Sequence, residues 1–333
     1  MELGVLGGEW SQMMRFSRIG VFVLLLATVL MGTNCSYYNR VMARKDLVDG
    51  SKAYKDRKFP EAEKLFRQAV GRDPKGENVE GKMAQLFLAR TLHSMFIGDR
   101  QLKTLAEQAI TEYQKALAID PKDQSSYKAI ASLYENLQLN DKWLEWVTKR
   151  ANDATIPPEQ RAEALTSLSA KKNTCANDIS DTEATKKTVT KDGKQAFQFV
   201  KPAKPEDFQS LVQCTGDGMK LIDQAVALET DQVKKASTID LKPLSDADLV
   251  KTQETFKVFE SARSYKASLL FQSMRIAEME SRTPDRDRLK GEADAARKNF
   301  TDLSDVVKKM QKEIDDRTAA KEEGAKKDAA NKK

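Results

Sequence analysis

One histidine, His93, stands among 333 residues, and cysteine occurs only three times. A lone histidine excludes a multi-histidine metal cluster and leaves few general-base arrangements, so the catalysis open by counting is that of paired carboxylates. Glycine (15) and proline (9) are sparse and aromatics make up 7%. That scarcity, together with long Ala/Leu/Glu/Lys/Gln stretches, favours helix over sheet. The chain carries no glycine-rich phosphate loop, no His/Cys metal spacing and no serine-hydrolase elbow, so no cofactor, metal or catalytic residue is expected. Its formal charge of +6 is set against 32% charged residues of both signs. No compact Lys/Arg patch interleaved with aromatics suggests a phosphate-tracking groove, and nucleic acid is not an expected partner. Hydrophobic residues at 40% can bury a core in one extended array or in two compact domains.

The N-terminal segment reads as an address. Arg15 and Arg18 precede an apolar run from Ile19 to Met31, with Cys35 shortly after. This is the charged-then-apolar layout of an export signal, and the run is shorter than the roughly 20 residues a comfortable membrane span needs. Residues 1–13 add nothing to that layout, and Met13 or Met14 is the expected start. The position of Cys35 resembles the acceptor cysteine of bacterial lipoproteins, although Asn34 occupies the place where that family usually has Gly, Ala or Ser. The resemblance implies an exported, membrane-anchored protein facing the periplasm of a bacterial envelope. Its alternative is an uncleaved signal anchor. Residues 1–35 are thus the expected export or lipoprotein signal.

Past that segment one spacing occurs twice: Ala62, Phe66, Ala69, Pro74 and Ala109, Tyr113, Ala116, Pro121. The first three positions share one face of a helix, small residues flank one aromatic so that a second helix can approach, and the proline marks where the helix stops. Each proline lies in an Asp-Pro-Lys turn, Asp73-Pro74-Lys75 and Asp120-Pro121-Lys122. An earlier helix over about Val41 to Asp56 turns at Arg57-Lys58, and Pro60 sits in the first turn of the next. With Gly50, Tyr54 and Phe59 added, this unit resembles the tetratricopeptide repeat, a 34-residue helix-turn-helix.

The second unit offers Leu88 and Ala89, with about 8 residues beyond the 34-residue period falling near Gly98 to Leu105. The third offers Tyr127, Ile130, Ala131 and Tyr134, then a degenerate helix with Trp143, Val147 and Arg150. Gly218, Ile222, Ala225 and Thr230 repeat the spacing a fourth time, and Glu159 to Lys172 is their candidate partner helix. Residues 41–173 then hold three repeats and the first helix of the fourth, 174–215 an insertion, and 216–314 the remaining helix with capping helices.

Cys175 and Cys214 stand at the two ends of the insertion. In an exported protein such thiols are placed to pair, closing a loop of about 40 residues; two free thiols are the alternative. Within the insertion, Thr188 to Thr190, an Asp192-Gly193 turn and Gln195 to Val200 read as a hairpin with Phe197 and Phe199 on one face. Being marginal alone, it should pack on the helices or on a partner. Leu249 to Met279 and Thr283 to Ile314 are expected as long capping helices, and the charged tail over 315–333 as disordered.

The fold expected is therefore all-α, a right-handed superhelix of helix-turn-helix repeats with a small β-hairpin insertion. The resemblance implies a non-enzymatic scaffold that binds a protein or peptide in a concave groove lined by the first helices. Carried over by position, the groove residues are Arg44, Leu47, Ser51 and Tyr54; Met83, Leu86, Arg90 and His93; and Ser125, Lys128, Ser132 and Glu135. An accessory factor for secretion or outer-membrane assembly is the alternative within binding proteins, and a carboxylate-based envelope enzyme the alternative class. The membrane is reached through a lipidated or uncleaved N-terminus.

Overall fold

The computed structural model describes residues 37–191 and 193–331, and the chain divides into two compact units between Asn140 and Asp141. The signal segment and Cys35 lie outside the described residues. The fold is all-α, built of helix-turn-helix pairs, with one two-stranded sheet among the described residues.

The first unit contains α1 (37–55), α2 (Phe59–Arg72), α3 (Val79–Gly98), α4 (Lys103–Ile119) and α5 (Gln124–Asn136). The repeated spacing is its core: Ala62, Phe66 and Ala69 are fully buried on α2, and Ala109, Tyr113 and Ala116 are buried on α4. Gly50 shows how tightly α1 meets α2, since a Cβ there would lie 2.8 Å from the Phe66 ring. Phe66 in turn stacks on Phe87 of α3 at 5.5 Å. The Asp-Pro-Lys turns work by capturing amides. The Asp73 carboxylate accepts from the N–H groups of Glu77 (3.0 Å) and Asn78 (2.8 Å), and Asp120 accepts from that of Lys122 (3.1 Å).

The turn between paired helices is also repeated. Arg57, Gln138 and Ser281 all have φ near +58°. Each is followed by an N–H that bonds back five residues, Lys58 to Ala53 (2.9 Å), Leu139 to Tyr134 (2.9 Å) and Arg282 to Ala277 (2.8 Å). That left-handed residue with its long-range bond is a Schellman stop. It closes α1, α5 and the later helix Asp246–Met279 alike, so the C-terminal helix pair turns as a repeat does. The surplus residues of the second repeat go elsewhere than expected: α3 is lengthened to 20 residues, and only residues 99–102 link it to α4.

The second unit comprises most of α6 (Asn140–Asn152), then α7 (Pro158–Ser180), β1 (Lys186–Lys191), β2 (Lys194–Phe199), α8 (Pro205–Ala227), the short α9 (Asp231–Lys234), a 3₁₀ turn over Ala236–Thr238, α10 (Asp246–Met279) and α11 (Thr283–Asn331). Helices α7 and α8 run antiparallel, joined by Ser169 Oγ donating to Gly218 O (3.0 Å) and by Lys172 with Asp217 (3.1 Å). The fourth copy of the spacing is real packing: Gly218, Ile222 and Ala225 are buried. A Cβ on Gly218 would lie 2.9 Å from Leu269 and 3.1 Å from Lys172, because α7, α8 and α10 converge there. Thr230, where the first two copies have proline, caps α9 by accepting from the Val233 N–H.

Two boundaries differ from expectation. The stretch 174–215 is helical at both ends, since α7 continues to Ser180 and α8 begins at Pro205. The C-terminal tail is helix as far as Asn331. Arg317 donates to the carbonyls of Leu241 (2.9 Å) and Leu244 (2.7 Å), and both Arg317 and Lys321 pair with Asp246. Those partners lie over 70 residues away in the chain, so no local pattern announces them.

Candidate partner-binding surface

Helices α1, α3 and α5 stand side by side, and side-chain bonds across their seams define the face they share. Arg40 pairs with Glu80 (3.4 Å), the Tyr54 hydroxyl bonds Ser94 Oγ (3.0 Å), and Arg90 Nη2 donates to Ser125 Oγ (3.1 Å). Tyr54 also packs edge-on against Phe59 and Phe87, at 5.5 and 6.0 Å. Behind this layer, α2 and α4 form the second, with Arg67 of α2 reaching Gln108 of α4 at 3.5 Å. The layers are tied by Arg72 to Asp46 (2.9 Å) and by the buried Gln85, whose amide donates to the main-chain oxygen (3.0 Å) and carboxylate (2.8 Å) of Glu112.

Of the residues carried over by position, Arg44, Met83, Lys128, Ser132 and Glu135 are exposed. Leu47, Ser51, Tyr54, Leu86, Arg90, His93 and Ser125 are half-buried. Several have structural partners already. Ser51 Oγ donates back to Leu47 O (2.7 Å), and the Arg90 guanidinium lies 5.5 Å from the Phe87 ring centre. Ser125 Oγ donates to Asp123 (2.8 Å), whose carboxylate also takes the amides of Ser125 and Ser126 at the start of α5. Burial alone would raise the Asp123 carboxyl, but the hydroxyls and amides of Ser126 and Ser125 outweigh it and hold the group below its ordinary value.

His93 meets the Tyr113 hydroxyl at 3.4 Å with the rings edge to face. Burial, and then the charge of Arg100, lower the histidine's affinity for a proton, while burial pushes the Tyr113 phenol upward. The pair is therefore neutral near pH 7 and packs as a polar contact. Phe87, Ser94, Gln85 and Glu112 were not picked out by sequence pattern; a buried Gln–Glu pair has no signature short of the structure.

The second unit bears out the cysteine pairing, as Cys175 and Cys214 form a disulfide. The hairpin also forms, pairing Lys186 with Phe199 through to Lys191 with Lys194 around a turn in which Gly193 has φ +74°. Its two phenylalanines part company. Phe199 is buried in a cluster with Ala176, Leu211, Ile276 and Met279, whereas Phe197 is 60% exposed. A polar staple fixes the hairpin's base: Arg275 lies 4.5 Å over the Phe199 ring, donates to Ser180 Oγ (3.1 Å) and faces Asp181, which also pairs with Lys186 (2.8 Å). Hydrogen bonding from Lys186 lowers the Asp181 carboxyl.

Among the described residues no helix is long and apolar enough to cross a membrane, and no group of three or more His, Cys, Asp or Glu side chains is placed to hold a metal ion. No family model matches the chain, and no curated protein matches it. Among solved structures it is similar to one described as "Functional Characterization of Pseudomonas Aeruginosa pilF", at 11% identity over 80% of this chain and 97% of that chain, with a TM-score of 0.29. A likeness at that score says nothing about function; the tetratricopeptide-like character of the helix pairs stands on the packing of Gly50 against Phe66 and on the recurring turn.

Proposed function

We propose that this chain is a non-catalytic, envelope-anchored scaffold that binds a protein or peptide partner on the face shared by α1, α3 and α5. The observation that carries this reading is the composition of that face. Among the residues carried over to that face, Arg44, Arg90 and Lys128 stand against one acid, Glu135, and with Leu47, Met83 and Leu86 they make an apolar strip with a positive excess, while Glu80 there is already paired with Arg40. Such a strip suits a segment with apolar anchors and acidic flanks. Half-buried Ser51, Tyr54, Arg90 and Ser125, already hydrogen-bonded within the first unit, supply a preformed surface, which lowers the ordering cost of binding. Cys35 is proposed as the lipid attachment point that holds the scaffold at the membrane.

The surface is tested by a photo-crosslinking residue placed at Met83 in living cells. A discrete crosslinked product is expected there and none from the same residue at Gln68, which is exposed on α2 in the outer layer. Identical products from both positions would refute the groove. Anchoring is tested by palmitate labelling, which Cys35→Ala should abolish; equal labelling of parent and variant removes the lipoprotein reading.

A further inference from the structure

The formal charge of the chain is concentrated in one place. Between Ala184 and Pro205 stand Lys186, Lys187, Lys191, Lys194, Lys201 and Lys204 against a single acid, Asp192, so this stretch carries +5 of the chain's +6. The same stretch is the β-hairpin and its return. Its base is held by the Cys175–Cys214 disulfide and by the burial of Phe199. Among the described residues of its distal half, Thr190, Gly193, Lys194 and Gln195 are exposed, as is Phe197, whose ring lies 4.4 Å from the Lys186 ammonium.

The pairing register sorts the residues by face. Lys187, Val189, Lys194, Ala196 and Gln198 alternate with the set that contains Phe197 and Phe199. Because Phe199 holds the second set against the helices, the lysine-bearing face is turned away from the core. The acids near the base are Asp181, already paired with Lys186 and Arg275, then Glu183, Glu206 and Asp207.

We propose that the hairpin is a contact point for an anionic lipid surface. Its area decides between this and a folded acidic protein. Two strands of six residues each present a face of roughly 20 by 10 Å, far below the roughly 800 Å² per partner that a specific protein interface buries. Addition of a partner strand along β1 is opposed by its own lysines, which blunt sheet edges. A bilayer needs no matching shape: met tip first, the hairpin offers both of its faces, so each lysine near the anionic surface contributes independently and the exposed Phe197 settles at the headgroup level. The proposal does not depend on the groove described above.

The test measures partitioning of the full-length protein onto vesicles of phosphatidylcholine with about one-third phosphatidylglycerol, and onto phosphatidylcholine alone, by co-sedimentation at low salt. At about 1 kcal/mol per lysine, Lys187→Gln with Lys194→Gln should weaken binding to the anionic vesicles roughly 30-fold and leave binding to neutral vesicles unchanged. Phe197→Ser, which alters no charge, should weaken it about tenfold. Both variants change exposed side chains, and retention of the disulfide with an unchanged far-UV spectrum checks the fold. Equal partitioning of parent and lysine variant onto the anionic vesicles overturns the proposal. So does a crosslinker at position 197 that captures a polypeptide in whole cells while vesicle binding is unaltered by the lysine changes, an outcome that assigns the patch to an acidic protein.

Discussion

Cleaving the Cys175–Cys214 bridge should weaken the second unit by an amount the structure lets one work out. The two cysteines are 39 residues apart, and closing a loop of that length in the unfolded chain corresponds to about 4 kcal/mol in the chain-entropy model. The unit runs from Asp141 to Lys333, roughly 190 residues, so its unfolding entropy is about 0.4 kcal/mol per degree. Its melting point should then fall by about 10 °C. Cys214 also packs against the cluster around Phe199, so the Cys175→Ala, Cys214→Ala variant loses a little more than reduction and alkylation would. Scanning calorimetry with and without reductant, beside the double variant, separates the two terms. Amides of α1 to α5 should exchange with solvent at unchanged rates. A fall of less than about 2 °C in the second unit would refute the reasoning, because it would mean the unfolded chain keeps α7 and α8 together without the bridge.

Two glycines on α8 give opposite outcomes for one change. Gly218→Ala should destabilise by about 1–3 kcal/mol, since its Cβ meets Leu269 and Lys172, whereas at Gly216, where nothing lies within 4 Å, alanine should stabilise by about 1 kcal/mol; chemical denaturation reads both. His93 binds its proton less readily in the folded chain than its ordinary value of 6.5, so the unfolded state protonates first. Stability of the first unit should therefore fall as the pH drops through 6.5, and His93→Gln should flatten that slope; a slope unchanged in the variant would contradict the burial of this ring. Removing the Arg317 side chain by Arg317→Ala frees the carbonyls of Leu241 and Leu244, and hydrogen exchange should accelerate over residues 236–250 and the end of α11 while α7 and α8 are unaffected.

Much of the helical register was legible from short spacings. Ala62, Phe66 and Ala69 recur as Ala109, Tyr113 and Ala116 because one aromatic between two small residues is what lets neighbouring helices close to contact, and that requirement is local. The fourth copy was found by the same rule, and the Asp-Gly turn announced the hairpin. The extra residues of the second repeat were misplaced because length added to a helix and length added to a loop look alike until the packing of α3 is known. For the C-terminal tail, low apolar content suggested disorder; a helix rich in Lys, Glu and Ala needs little burial when Arg317 and Lys321 anchor it to the start of α10.

By itself the sequence determined the helical class, the position of the repeats, the hairpin and the bases of the loop that Cys175 and Cys214 close, all of which follow from spacings of a few residues along the chain. Only the tertiary structure decided which side chains those elements bring together. It seated Phe199 and left Phe197 in solvent, although both lie on one face of the strand, because the helices cover only the end of the hairpin nearest the disulfide. The surplus of lysines between Ala184 and Pro205 was legible in the sequence, whereas which end of the hairpin stays in solvent was decided by the packing of Phe199. Periodicity states which residues share a face, while burial depends on what the rest of the chain places opposite that face.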